Sequence, residues 1–482
     1  MNDRPMTHKF PRNGVLAALA IGLAARLLHA WTYYGWKYDD EHWQVMEPAN
    51  GLVHGFWHRT VEWQEGLRSW IYPWLVSWLI RLAEALGLKD AIFIASFIRS
   101  AHGVLSLVGV TAAAILTWRW CQANSAARPF ARGATLATAW WLALLPYSVY
   151  MGAHCHGESV GAVFLVCALL AMQMERAVLA GLLFGGALAI KIDLAVLGLM
   201  AGLWYLGTRR VGEALKLAVG VVGPVLLVGL VDKLTGGTWF QNVLGHARVN
   251  LVEEIGNQWG VSPWYQHILF VLSMGGLPLL SALALLPTAW KGLSRELKTA
   301  WIVMAGFVAV FSYVEHKEKR FMTPLLYLSA AAACATCAAG APAVGAWARR
   351  HPLGLKAVAA AAAAGVTLHL ATEVRNYITE RPWHERVLAL RAGGLATGVE
   401  KFVSCQWPAN FYFPRHIPAV NAACTRENIT KMAKGIRAIS VVHDGPHIGW
   451  WEEEGFKCAP WPHPRRQSKD PVPAAWRCER TL

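Results

Sequence analysis

Residues 299–340 read TAWIVMAGFVAVFSYVEHKEKRFMTPLLYLSAAAACATCAAG, two apolar runs (299–314 and 322–340) joined by His316-Lys317-Glu318-Lys319-Arg320-Phe321. Each run is close to the ~17–25 residues that cross a bilayer as a helix. Dense charge beside hydrocarbon is costly, so a basic knot here lines a polar cavity or the water interface. Lys, Arg and His around a carboxylate are also what a phosphate leaving group needs. The competing reading is a solvated loop touching lipid headgroups.

The rest of the chain has the same character. It is 55% hydrophobic and 16% charged, with 25 Trp in 482 residues, unlike a soluble enzyme of this size. Apolar runs predict about eleven crossings, at 14–31, 92–117, 133–150, 157–173, 177–190, 192–206, 215–231, 266–290, 299–314, 321–340 and 355–372. Basic residues gather in alternate short loops: Lys9 and Arg12; Arg119, Arg128 and Arg132; Arg209, Arg210 and Lys216; Lys291, Arg295 and Lys298; Arg349, Arg350 and Lys356. These loops are expected to be cytoplasmic, so the net charge of +15 reports topology and not a nucleic-acid partner. The N-terminal run is interrupted by Arg26 and His29 and reads as a retained helix, not a cleaved signal.

An odd number of crossings places the tail, 373–482, outside the cytoplasm, where Cys405, Cys424, Cys458 and Cys478 can form disulfides whose pairing the sequence does not reveal. Its composition is that of a small soluble α/β domain, with a strand at 439–443. The helical part, 1–372, carries a long first exported loop, 32–90, a second at 232–266, and the basic loop at 315–321. After Pro73, Trp74, Leu75, Trp78, Leu79 and Leu82 recur at helical spacing, predicting an amphipathic helix at the interface.

Two polar constellations invite chemistry. Asp39, Asp40 and Glu41 stand in a row just past the first span. Like charges beside hydrocarbon hold a proton more tightly than an isolated carboxylate does, which suits a base that takes a proton from a sugar hydroxyl. Trp43, Gln44 and Glu47 follow at helical spacing and add a polar, aromatic face. Solvated acids at a helix end are the plainer alternative. In His154-Cys155-His156-Gly157-Glu158 the ligand types suggest a metal, yet no second ligand pair supports one, so His154 and Glu158 read as cavity lining. Lys191 and Asp193 are expected to face the cavity or each other. Trp239, Trp264 and Tyr265 could stack on sugar rings or merely anchor the interface. No nucleotide-binding fingerprint is present.

Asp40-Glu41-His42-Trp43-Gln44 with Glu47, then Glu62-Trp63, Arg68-Ser69 and Tyr72-Pro73, resembles the first lumenal loop of family 22 glycosyltransferases, the dolichyl-phosphate-mannose-dependent α-mannosyltransferases. His316-Lys317-Glu318-Lys319-Arg320-Phe321 with Pro324 is similar to that family's second signature, and 237–242 with 260–265 to its middle loop. The Glu-Trp then Arg-Ser pattern leans toward the enzyme adding the third GPI mannose. Before the Asp-Glu pair the family usually has Pro or His; this chain has Asp39.

The resemblance implies a polytopic α-helical membrane protein with the GT-C fold and inverting transfer. Asp40 is then the base, with Glu41 and Asp39 beside it. His316, Lys317, Lys319 and Arg320 hold the donor phosphate, and Trp43, Gln44, Glu47, Glu62, Arg68, His154, Glu158, Trp239, Trp264 and Tyr265 line the substrate site. The expected partners are a polyprenyl-phosphate sugar donor, a lipid-linked glycan or glycolipid acceptor, and membrane lipids. No cofactor or metal is expected, because the basic cluster can do what a metal would. Ala-, Leu- and Arg-rich composition points to a bacterial inner membrane with the site periplasmic, or to the ER lumenal face in a eukaryote. The acid and the basic knot are expected to share one chamber at the outer rim. A transferase of another polyprenyl-phosphate sugar and, from another class, a lipid-linked-glycan transporter are the rival readings.

Overall fold

The structure is a computed structural model and describes residues 9–55, 57, 59–379, 387, 401–404, 419–421, 426–434, 437–442, 448–460 and 475–480. Two compact units make up the chain. One comprises Met1–His29, Glu65–Tyr72 and Ser100–Glu380, the other Ala30–Gln64, Pro73–Arg99 and Arg381–Leu482.

Among the described residues seven helices are long and apolar enough to cross a membrane: Arg12–Thr32, Ala91–Gln122, Val211–Leu234, Gln266–Gly292, Arg295–Tyr313, Lys319–Arg350 and Pro352–Thr379. The pair Pro146–Ala153 and Gly157–Gln173, bent by 104°, makes an eighth if counted as one span. The chain is therefore an integral membrane protein, and of the eleven expected runs seven or eight are, among the described residues, long and apolar enough to cross as helices. The run expected at 133–150 breaks before Pro146, where Leu145 turns extended at φ −56°, ψ 121°. A residue preceding proline is pushed out of the helical region by the pyrrolidine ring. What remains upstream, Ala131–Leu144, has 14 residues, about 21 Å of helix against about 30 Å of hydrocarbon. Ala177–Ile190 and Ile192–Gly207 are also short, parted by Lys191, whose backbone is extended without a proline.

Polar groups sit at these breaks. Arg26, fully buried on the first helix, sends Nη1 to Ala143 O (2.9 Å), Nη2 to Leu142 O (3.2 Å) and Nε to Ser106 Oγ (2.7 Å). A helix end leaves its last carbonyls without intrahelical partners, and one guanidinium serves those left open before Pro146. Arg26→Met is expected to cost about 1–3 kcal/mol, because Ala143 O loses its side-chain donor while Leu142 O keeps the Ser148 hydroxyl. Thermal unfolding of the purified protein in detergent checks this. Small residues set the closest helix contact: a Cβ on Gly181 would meet Leu217 O at 2.0 Å, and one on Gly220 would meet Val178 O at 2.2 Å. Gly181 and Gly185 have the spacing that lets membrane helices touch backbone to backbone.

The amphipathic helix spans Ile71–Ala85 and exposes Trp74, Leu75, Trp78 and Leu82, while Tyr72, Val76, Ile80 and Ala83 are buried. In the tail, β1 (Lys401–Ser404), β2 (Ala419–Asn421), β3 (Ala438–Val442), β4 (Phe456–Pro460) and β5 (Ala475–Arg480) form a sheet ordered β2-β1-β3-β5-β4. β1 runs parallel to β2 and β3, whereas β5 is antiparallel to β3 and β4. Cys458 and Cys478, opposite each other on β4 and β5, form a disulfide. Cys405 and Cys424 lie outside the described residues. Cys334 and Cys337 are free thiols.

Candidate active site

The three carboxylates of the first loop meet three different environments. Glu41 opens a short wide-turned helix, Glu41–Met46, and is 1% exposed. Arg99 Nε donates to Glu41 Oε1 at 2.9 Å, and the same guanidinium donates to Tyr33 O (2.6 Å) and Gly35 O (2.8 Å). Asp39 is exposed and accepts from the Trp36 indole at 3.0 Å. Asp40 is half-buried between them. Behind this row the His42 ring stacks on Trp36 with centroids 4.5 Å apart, and its Nε2 lies 3.5 Å from Glu47, which is fully buried. Trp43 O accepts from the Trp63 indole at 3.0 Å, and Gln44 Nε2 donates to Glu62 at 3.4 Å. Asp39, Asp40, Glu41, Trp43, Gln44, Glu47 and Glu62 thus belong to one packed unit.

A second constellation forms in the other unit where three helices break. Glu158, 2% exposed, starts Gly157–Gln173 just after the 104° bend. Lys191, at the gap between Ala177–Ile190 and the turn Ile192–Leu194, pairs with Glu158. Arg320, in the turn Lys319–Leu325, lies 3.7 Å from the same carboxylate. Arg320 also grips Glu318 with two parallel bonds, Nε–Oε2 at 2.6 Å and Nη2–Oε1 at 2.8 Å. His316 Nε2 is 3.0 Å from Glu318, while His316 Nδ1 is 2.9 Å from Gly260 O. Irregular backbone at membrane depth is tolerated where it lines a polar cavity, and all of these breaks carry a charge. Lys191 acts electrostatically on Asp193, whose carboxylate takes His246, at 2.6 Å, from the middle loop. Arg68 acts electrostatically on that Asp193.

The basic knot divides. His316 and Arg320 share Glu318. Lys319 turns to Glu373 (2.8 Å) and Ser273 Oγ (3.0 Å), with its ammonium 4.6 Å from the Tyr147 ring and 5.0 Å from that of Tyr377. Lys317 Nζ donates to Val314 O and Glu315 O, closing the end of Arg295–Tyr313. Lys317→Ala is accordingly expected to leave donor dependence nearly unchanged and cost about 0.5–1 kcal/mol of stability, as a lost helix-end contact. Initial rates and a melting curve together check it.

His154 is buried, 3.1 Å from His29 Nε2 and stacked on Tyr150 at 4.0 Å. Cys155 turns to His102 Nδ1 (3.5 Å), whose other nitrogen meets the Tyr72 hydroxyl at 2.7 Å. Trp239, Trp264 and Tyr265 are 50%, 66% and 45% exposed. Asp232 accepts from Asn242 N–H at 3.0 Å and so fixes the start of the helix Gln241–Ala247. Sequence reasoning passed over Arg99. A lone cation inside an apolar run was the available signal, since such residues are kept for a buried partner.

Comparison with known proteins agrees with this architecture. ArnT from Cupriavidus metallidurans superposes with a TM-score of 0.62 in its apo state, at 15% identity over 97% of this chain and 98% of that one. Its complex with undecaprenyl phosphate gives 0.60 at 14% identity, over 96% and 97%. The fold is thus the GT-C fold. Among curated proteins, GPI mannosyltransferase 3 of Yarrowia lipolytica is 28% identical over 67% of this chain and 64% of its own length. Mannosyltransferase APTG1 of Arabidopsis thaliana is 25% identical over 66% and 57%. The chain thus spans less than two thirds of these relatives. The model of the Alg9-like mannosyltransferase family matches residues 17–376, from within the first helix to near the end of Pro352–Thr379, so this chain belongs to that family.

Proposed function

We propose that this chain moves mannose, with inversion, from a polyprenyl-phosphate donor to a hydroxyl of a lipid-linked glycan or glycolipid on the non-cytoplasmic face. The observation that carries the reading is the cluster of Arg320, Lys191 and His316 gathered from two helix breaks around the carboxylates of Glu158 and Glu318. Family membership supports mannose, and a protein of the same fold solved with undecaprenyl phosphate supports the donor class.

Asp40 takes the proton of the acceptor hydroxyl as its oxygen attacks the anomeric carbon. The bond from that carbon to the phosphate oxygen breaks on the opposite face, and polyprenyl phosphate leaves with the electron pair. Arg320, Lys191 and His316 stabilise the charge that grows on the phosphate. Phosphate leaves readily, so one base suffices without a dedicated acid. Asp40 is the carboxylate that the resemblance of the first loop marks as the base, and its neighbour Glu41 is committed to Arg99. We further propose that transfer needs no metal, the cations doing that work.

Purified protein given radiolabelled polyprenyl-phosphate mannose should form a covalent glycolipid product, at a rate unchanged by EDTA. Faster transfer from polyprenyl-phosphate glucose, arabinose or an aminosugar would reassign the donor. Movement of lipid-linked glycan across vesicles without product would favour transport. The Cys458–Cys478 disulfide supports a tail in an oxidising compartment, a periplasm if the source is bacterial. Labelling of those two cysteines in sealed cells, only after an impermeant reductant, tests the side.

A further inference from the structure

We propose that Glu318 is an internal stand-in for the donor phosphate: its carboxylate fills the fork of Arg320 while no donor is bound and yields that fork when the phosphate arrives. The inference rests on the reading that Arg320 meets the donor. An arginine fork binds carboxylate and phosphate with the same two parallel bonds, and Glu318 now holds both, at 2.6 and 2.8 Å.

Three features make Glu318 the partner that moves. Its side chain is 29% exposed, against 10% for Arg320 and 3% for Glu158, so the guanidinium is anchored and the carboxylate is at the open side. Its backbone is extended (φ −127°, ψ 147°) ahead of the turn Lys319–Leu325, and its side chain makes no capping bond to that turn. A second partner is already at hand, His316 Nε2 at 3.0 Å.

Charge balance argues the same way. The groups facing Glu318 are His316 and Arg320 on its own segment, Glu158 from the helix Gly157–Gln173, and Lys191 from the neighbouring break. Among the described contacts, two cations, Lys191 and Arg320, meet two carboxylates, Glu158 and Glu318. A phosphodiester brings one more negative charge, which the cluster accommodates if Glu318 leaves the fork and a proton joins the Glu318–His316 pair. Burial pushes the Glu318 carboxyl above the ordinary carboxylate range and Glu158 adds to that push, while His316 and Lys191 oppose it. Losing the guanidinium moves it further up, so uptake follows displacement.

The test uses the full chain in detergent and a short-chain prenyl-phosphate mannose, whose phosphodiester carries one charge that does not titrate near neutrality. Glu318→Gln should bind this probe about 5-fold tighter, the inverse of the fraction of time the fork stands open. Wild type should take up a proton on binding, read from the dependence of calorimetric enthalpy on buffer, and Glu318→Gln should take up none. Weaker binding by a folded Glu318→Gln would overturn the proposal, leaving Glu318 as a mere support for Arg320. Should that variant fail to melt cooperatively, absence of proton uptake by wild type overturns it instead. Unchanged binding by Arg320→Ala would sink the phosphate reading itself, a distinct outcome.

Discussion

Asp40→Asn is expected to lower mannosyl transfer by about a thousandfold, within the range that a positioned general base contributes, while the protein unfolds at nearly the wild-type temperature. The substitution keeps size and polarity at a half-buried position and removes only the capacity to take a proton. Asp39→Asn alters an exposed carboxylate that accepts from the Trp36 indole, as an amide oxygen also can, so its rate should fall less than tenfold. Binding of the prenyl-phosphate mannose probe should be unchanged in both variants, because each keeps the size and polarity of the side chain it replaces. Turnover above a tenth of wild type in Asp40→Asn would remove this carboxylate from the mechanism. Loss with Asp39→Asn instead would move the base by one residue.

Much of this was legible in the sequence because membrane crossing constrains composition over long windows. All eleven apolar runs contain helix, and the basic knot does sit in a turn between two helices. Length was the weak point. A proline such as Pro146 cuts a run that hydropathy alone leaves whole, and the reading gave no weight to the backbone restriction on Leu145. Partner choice was less legible still. His316, Lys317, Lys319 and Arg320 are neighbours in the chain, but Lys319 goes to Glu373 while His316 and Arg320 go to Glu318. No local pattern announces a partner 54 residues away. Arg26 and Arg99 were visible as charges in apolar runs, and each has turned out to close a backbone gap: one the carbonyls before Pro146, the other those of Tyr33 and Gly35.

Arg99→Met is expected to cost about 3–5 kcal/mol, because it leaves a buried carboxylate without the charge that made its burial tolerable. Glu41 is 1% exposed, and the lost guanidinium also served the carbonyls of Tyr33 and Gly35. Glu41→Gln should cost less, about 1–2 kcal/mol, since Arg99 keeps both carbonyls and an amide oxygen still accepts. Removing both charges together, as Arg99→Met with Glu41→Leu, should recover part of the stability lost in Arg99→Met, for a buried ion pair is often replaceable by apolar side chains. Activity should not return with it. Glu41 adjoins Asp40, so freeing it lets the base drift, and a misplacement of ~1 Å can cost a hundredfold. Melting curves and rates across these variants separate the two roles the row of acids can play. If Glu41→Gln alone matches Asp40→Asn in lost rate while keeping its melting temperature, Glu41 is the proton acceptor and its pairing with Arg99 is broken in the working enzyme. If it loses stability first and rate in proportion, Glu41 is the post on which Asp40 is hung.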